Sequence, residues 1–430
     1  MSPDFQASPI MPRPSPPGPD GTPAGDAGLN APAFDSSPLA LVLSGGGARG
    51  AYQAGALRAI ARAFPELRFP LLIGTSAGAI NSAFLASHPG TPVEATEALA
   101  EVWSRLEADD VFFADPGSLT RNFVRWTRRL ASGGSPGPPE VRGLVDTRPL
   151  YQTLQRVTAT VDGELIGIQH NLDRGHLRAI ALTGLNYSNS QTVVWVQGAD
   201  LTPWDDPRHM TFRTRITVDH VMASASLPLF FPAVRLGDSW YGDGGVRLAT
   251  PLAPALRLGA QRILAISPRY RPSLEEAKVH KITGYPPPAQ IIGELLNAIF
   301  LDVLDQDIER LVDMNRLAVK LPPEEREGFR PVSIRCIRPS VDLGELATHY
   351  EPRLPKAFRY LTRSLGTRES ESSDLLSFLM FQPDFLQRLI EIGEADAEAR
   401  MEEIRELVEQ REGPAEDDIS FRQDARAGLD

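Results

Sequence analysis

Short apolar runs alternate with small-residue helical stretches, and this alternation constrains the fold more than any other feature of the chain. "LALVLS", beginning at Leu39, is β-compatible throughout and runs into glycines. "AYQAGALRAIARAF" follows, with Ala54, Leu57, Ile60 and Ala61 at helical spacing. "FPLLIG" is a second short run, and "TSAGAINSAFLAS" is a second helical stretch. Strand, helix, strand, helix predicts a parallel sheet with helices on its faces, because parallel neighbours cannot be joined by a tight hairpin. Further strands are expected at "LRAIALTGL", "QTVVWVQG" and "RILAIS", and a helix over 93–107. A short capped helix is expected at "TVDHVMAS", with Pro228 as the stop, and a turn at "WYGDGG".

The chain has 430 residues, enough for one large α/β domain or two ordinary ones. Its formal charge of -11 argues against a general nucleic-acid binder. The single cysteine, Cys336, leaves no internal disulfide and no cysteine-based zinc site. No apolar run approaches the ~18 residues of a membrane span, and no secretory signal is visible at the N-terminus. The expected location is the cytoplasm, with peripheral membrane contact left open.

Residues 1–38 hold ten prolines and are expected to be a disordered tail, because they carry too little apolar surface to order themselves. A catalytic α/β domain is expected over 39–270 and a helical extension packed on it over 271–412. In that extension Ile292, Leu295, Ile299, Val303 and Leu311 could share one helix face. A flexible tail is expected over 413–430.

The chemistry-bearing motif is "GTSAG", Gly74 to Gly78, placed between a predicted strand and a predicted helix. That context is what a nucleophile elbow requires: a turn too tight for flanking side chains, presenting Ser76 above the sheet at a helix N-terminus. A serine hydroxyl needs a base. None of His88, His170, His176, His209, His220, His280 and His349 has a motif around it. Asp243, in "WYGDGG", could serve as the base if partly desolvated, or be an ordinary Asp-Gly turn.

A second glycine motif lies in "LVLSGGGARGAYQAG", where Gly45, Gly47 and Gly50 spell G-x-G-x-x-G. A dinucleotide site wants an acidic residue at the end of the second strand. Glu66 comes before that strand, and the strand ends in "GTSAG". No nucleotide cofactor is therefore expected. The glycines suit an oxyanion hole instead, with Gly46 and Gly47 as N–H donors.

Together and in this order, S-G-G-G-A-R-G at 44–50, G-T-S-A-G at 74–78 and D-G-G at 243–245 resemble the patatin-like phospholipase family. "ASASLPLFFPAV" (223–234) and "GLVDTRPLY" (143–151) are similar to further family segments, and the resemblance spans about 39–270. It implies a three-layer α/β/α sandwich with a mostly parallel central sheet, followed by a C-terminal helical extension as in bacterial members. It also implies a lipid acyl hydrolase that works without metal or cofactor. Ser76 would be the nucleophile and Asp243 its only partner, with Gly45, Gly46, Gly47 and Gly50 as the oxyanion loop. Gly74, Gly78, Gly244 and Gly245 would support the turns. Arg49 would brace the loop or meet an anionic head group.

"RNFVRWTRRL" would place Phe123, Trp126 and Leu130 on one helix face and Arg121, Arg125 and Arg128 opposite. That suits an anionic membrane interface or a cap helix packed on the core. Two other readings stay open: a Ser-His-Asp esterase and a non-catalytic scaffold on the same fold.

Overall fold

Strand β1 (Leu39–Leu43) is buried along its whole length, and its residues divide between two cores. Leu39, Leu41 and Leu43 point to one side; Ala40 and Val42 point to the other. This two-sided burial is what a strand with helices on both faces requires. The computed structural model describes residues 37–113, 143–198, 207–278, 285–326, 328–354, 359 and 374–410.

Eight more strands complete the sheet: β2 (Leu71–Gly74), β3 (Ala179–Asn186), β4 (Gln191–Gly198), β5 (His209–Arg213), β6 (Val234–Leu236), β7 (Ser239–Asp243), β8 (Arg262–Ile266) and β9 (Ser333–Ile337). The order is β9-β8-β1-β2-β3-β4-β5, with β7 pairing both β3 and β6. The strands from β9 to β3 run parallel. Strands β4 and β7 run antiparallel to β3. The fold is a mostly parallel three-layer α/β/α sandwich, as the resemblance implies.

Helices α1 (Gly50–Ala63), α2 (Ala77–Ser87), α3 (Pro92–Arg105), α4 (Arg148–Val157) and α5 (Val218–Ser224) share the core on one face. Alanine-rich α1 and α2 have strong helical propensity and small side chains, so they sit close to the sheet. Helix α3 starts with a Thr91–Glu94 capping box and Pro92 in its first turn. On the opposite face, Leu252, Leu304, Ile308 and Leu311 pack on Val42, Ile73 and Ala181.

The segment after 270 departs from the expected pattern in three ways. Helices α6 (Pro288–Phe300) and α7 (Asp302–Ala318) are separate elements that meet at Leu301. The buried stripe of α6 is Ala289, Gly293, Leu296, Asn297 and Phe300, whereas Leu295 is 56% exposed. The expected face is therefore only partly turned from the core: Leu295 is exposed, while Ile292 and Ile299 are half-buried and pack at the edge of the core. The segment also supplies a strand, β9, at the edge of the sheet beside β8. "WYGDGG" differs too: Trp240 to Asp243 lie in β7, and the turn begins at Gly244.

Helices α8 (Asp374–Leu379) and α9 (Pro383–Ala399) belong to the same core as α1–α3. The backbones of α1 and α9 touch through glycine. A Cβ at Gly55 would overlap the Ile390 carbonyl, and one at Gly393 would overlap the Tyr52 carbonyl. Gly393→Ala is expected to cost about 1–3 kcal/mol through overpacking, read as a lower urea midpoint.

Candidate active site

Ser76 occupies the sharp turn between β2 and α2, with φ 56° and ψ −125°. A non-glycine residue there is strained, and such strain persists only where its surroundings hold it. They do so here. The Thr75 N–H donates to the Leu43 carbonyl at 3.1 Å, and the Thr75 hydroxyl pairs with that of Thr183 at 2.7 Å. The Ser76 N–H donates to Ser224 Oγ at 3.1 Å. Gly74 and Gly78 face backbone so closely that a Cβ on either would overlap it.

Strands β1 and β2 are parallel neighbours, so the segments that follow them leave the sheet at the same edge. This brings the 45–47 glycines to Ser76. A Cβ at Gly45 would lie 3.0 Å from Ser76 Cβ and 3.5 Å from its Oγ. The N–H groups of Gly45, Gly46 and Gly47 donate to no other group among the described residues. Gly47 has φ +57°, and a Cβ there would overlap the Phe378 carbonyl. Gly50 instead packs on Trp103 and Ala77. A buried polar chain anchors the loop: Trp103 Nε1 donates to Asn81 Oδ1 at 2.7 Å, Asn81 Nδ2 to Gln53 Oε1 at 2.9 Å, and Gln53 Nε2 to the Ser44 carbonyl at 2.8 Å.

Arg49 is buried, and its Nε donates to Ser377 Oγ at 2.7 Å. One Nη pairs with Asp374 Oδ1 at 2.5 Å, and the guanidinium lies 4.8 Å from the Phe378 ring centre. Asn297 Nδ2 holds the other Asp374 oxygen at 2.7 Å. Arg49 thus ties the glycine loop to α8.

Asp243 ends β7, paired with Gly184 of β3, and is completely buried. The Gly245 N–H donates to its Oδ1 at 2.9 Å, while Oδ2 has no hydrogen-bond partner. Burial pushes the Asp243 carboxyl up to about 7, against smaller opposing effects from the Ser76 hydroxyl and the Gly245 N–H. Among the described residues, neither Ser76 nor Asp243 has a histidine partner. Phe300, from α6, lies against both glycine turns: a Cβ at Gly45 would sit 3.4 Å from it, and one at Gly245 would overlap it. Gly244 packs equally tightly on Thr183.

An apolar slot leads away from Ser76, with Gly47 and Ala77 at its head and Ile80, Leu99, Trp103 and Leu154 along its sides. Its free space is about 60 Å³.

A model of the patatin-like phospholipase family matches residues 41–256, half of the chain. The chain belongs to that family. The match takes in the strained serine, the glycine loop and the buried aspartate of this patatin-like chain. No curated protein sequence matches it. Among solved structures it is similar to VipD from Legionella pneumophila, with 12% identity, TM-score 0.33, and coverage of 83% of this chain and 67% of that one. It is also similar to human GIVD cytosolic phospholipase A2 in complex with methyl gamma-linolenyl fluorophosphonate. Identity there is 12%, TM-score 0.42, and coverage 90% of this chain and 60% of that one. The type III effector protein ExoU matches at 20% identity and TM-score 0.25, over 54% of this chain and 43% of that one. The patatin-like chain thus spans well under two thirds of the last two.

The basic amphipathic segment with Arg121, Phe123, Arg125, Trp126, Arg128 and Leu130 lies outside the described residues. No described helix of this patatin-like protein is long and apolar enough to cross a membrane. Among the described residues no cluster of His, Cys, Asp and Glu could hold a metal ion. Sequence reasoning missed Thr75, which stands inside the GTSAG motif but has no assigned role there, and Thr183, Asn297, Phe300, Asp374 and Ser377, which lie in strands or helices without a motif. Ser224 was visible only as part of a family-like segment.

Proposed function

We propose that this chain hydrolyses carboxylic esters of acyl lipids such as phospholipids and lysophospholipids, with Ser76 as nucleophile and Asp243 as base. The observation that carries the reading is a completely buried carboxylate with one unpartnered oxygen, close enough to the Ser76 hydroxyl to be influenced by it. Hydrogen bonds of this kind are often loose before substrate binds and tighten in the complex. Asp243 takes the Ser76 proton as Oγ attacks the ester carbonyl carbon. The free N–H groups at 45–47 receive the negative charge that develops on the carbonyl oxygen. Collapse expels the alcohol, which takes the proton back from Asp243, and leaves an acyl-Ser76 ester. Water, deprotonated by Asp243, then adds to the acyl carbon; the bond to Oγ breaks, Asp243 returns the proton to Ser76, and the fatty acid leaves. The apolar slot takes the acyl chain. The chain would meet its substrate at the bilayer surface, and the arginines at 121, 125 and 128 would favour an anionic one.

The base must be ionised to act. With its pKa near 7, Asp243 is mostly protonated below that pH. kcat/KM is therefore expected to fall about tenfold per pH unit below roughly pH 7 and to level off above it. A profile flat from pH 5 to 8 would remove Asp243 from the role. The direct test of the function is labelling by a fluorophosphonate ester beside a panel of lipid substrates. An intact, folded protein that neither labels nor turns over any ester would refute the reading.

A further inference from the structure

The slot beneath Ser76 does not end in a thick wall. Phe84, Val102, Leu106, Thr153 and Val157 line it, and the same five line a second depression on the far side. That depression holds about 550 Å³ and lies between α3 and α4. The partition between the two spaces is one layer of side chains. Its one polar member, Thr153, donates its hydroxyl to the Asp110 carbonyl at 3.1 Å, so it offers the slot no unpaired donor. The far rim is charged but balanced. Arg105 pairs with Glu101 at 2.6 Å, and Arg156 lies 3.5 Å from Asp110. The slot is therefore apolar, and the arginines and carboxylates that line the depression beyond it pair with one another among the described residues.

We propose that the slot is a through-passage: a long acyl chain esterified at Ser76 threads between Phe84, Val102, Leu106, Thr153 and Val157 and emerges between α3 and α4. The proposal rests on the reading of Ser76 as nucleophile. A blind pocket and a passage differ in how they treat chain length. In both, each methylene that leaves water for the slot is worth about fourfold in kcat/KM. In a blind pocket a chain longer than the slot must buckle or stay outside, and kcat/KM drops. In a passage the extra methylenes pass through the partition into water, so they add nothing and cost little.

The test is a series of p-nitrophenyl esters from butyrate to palmitate, each kept monomeric in dilute acetonitrile without detergent, with the wild-type chain, Val157→Trp and Val102→Phe. The wild type is expected to rise with length and then hold a plateau. Each variant is expected to lower the ratio of palmitate to butyrate kcat/KM at least tenfold, because bulk in the partition closes the far end. Val157 and Val102 are both only half-buried, and either variant suffices if the other fails to fold. Should both fail, the wild-type profile decides. A sharp wild-type decline beyond middle lengths, or folded variants that keep the wild-type ratio, would overturn the passage while leaving the hydrolase reading intact. No turnover of any ester by the folded wild type would sink both.

Discussion

Asp243→Asn is expected to cost about 10⁴-fold in ester turnover and, at pH 8, to make the protein more stable. Both effects come from the same burial. An asparagine can still accept the Gly245 N–H at Oδ1, so the turn that follows β7 is kept. It cannot take a proton from Ser76. The stability effect follows from the raised pKa. An unfolded aspartate ionises near ~3.9, while folded Asp243 does so near 7. Below both values the carboxyl is neutral in either state and contributes no difference. Between them the unfolded chain has released its proton and the folded chain has not, so stability falls as pH rises. Above about pH 7 the loss is complete, at roughly 4 kcal/mol. The asparagine variant lacks this loss, so its urea midpoint should exceed that of the wild type at pH 8 and converge with it near pH 4. A variant less stable at pH 8 would mean that the carboxylate is held by a charge partner. Ser76→Ala should lose turnover at least as severely and all fluorophosphonate labelling, with little change in stability.

Arg49→Met is expected to destabilise the fold by about 3–5 kcal/mol, because it leaves Asp374 charged and partly buried with Asn297 as its remaining partner. Arg49→Met combined with Asp374→Leu should recover much of that loss, since a buried ion pair replaced by apolar groups is often neutral. Urea unfolding of the four chains measures the coupling. Turnover should not recover in parallel. The pair ties the 45–47 loop to α8, and a loop less firmly held aims its N–H groups less well. Full recovery of kcat in the double variant would show that packing alone positions the loop.

Much of this site is legible in sequence, for a physical reason. Strand-turn-helix units repeat at β1 and β2, and tight turns demand glycine at fixed places. The spelling of Gly45, Gly74 and Gly78 therefore betrays where backbone meets backbone. What glycine cannot reveal is which distant side chain fills the space it leaves. Phe300 is one helical residue among many in the sequence; only folding sets it against Gly45 and Gly245. Asp374 resembles any acidic residue opening a helix until it meets Arg49. Strand β9 was hidden because five residues at a sheet edge carry little periodicity. The buried stripe of α6 is centred beside the expected face for a related reason: Gly293 and Asn297 carry no apolar signal, and only folding sets them against α8.

The tie between Arg49 and Asp374 also sets a clock. The two residues that would do the chemistry are complete once Asp243 is made, yet the clamp on the loop waits for residue 374. That is 131 residues later, or roughly 7–26 s at typical rates of synthesis. A chain still on the ribosome would hold a serine and an aspartate with no firm cradle between them. The proposed ester-cleaving site would thus stay unarmed until residue 374 is in place.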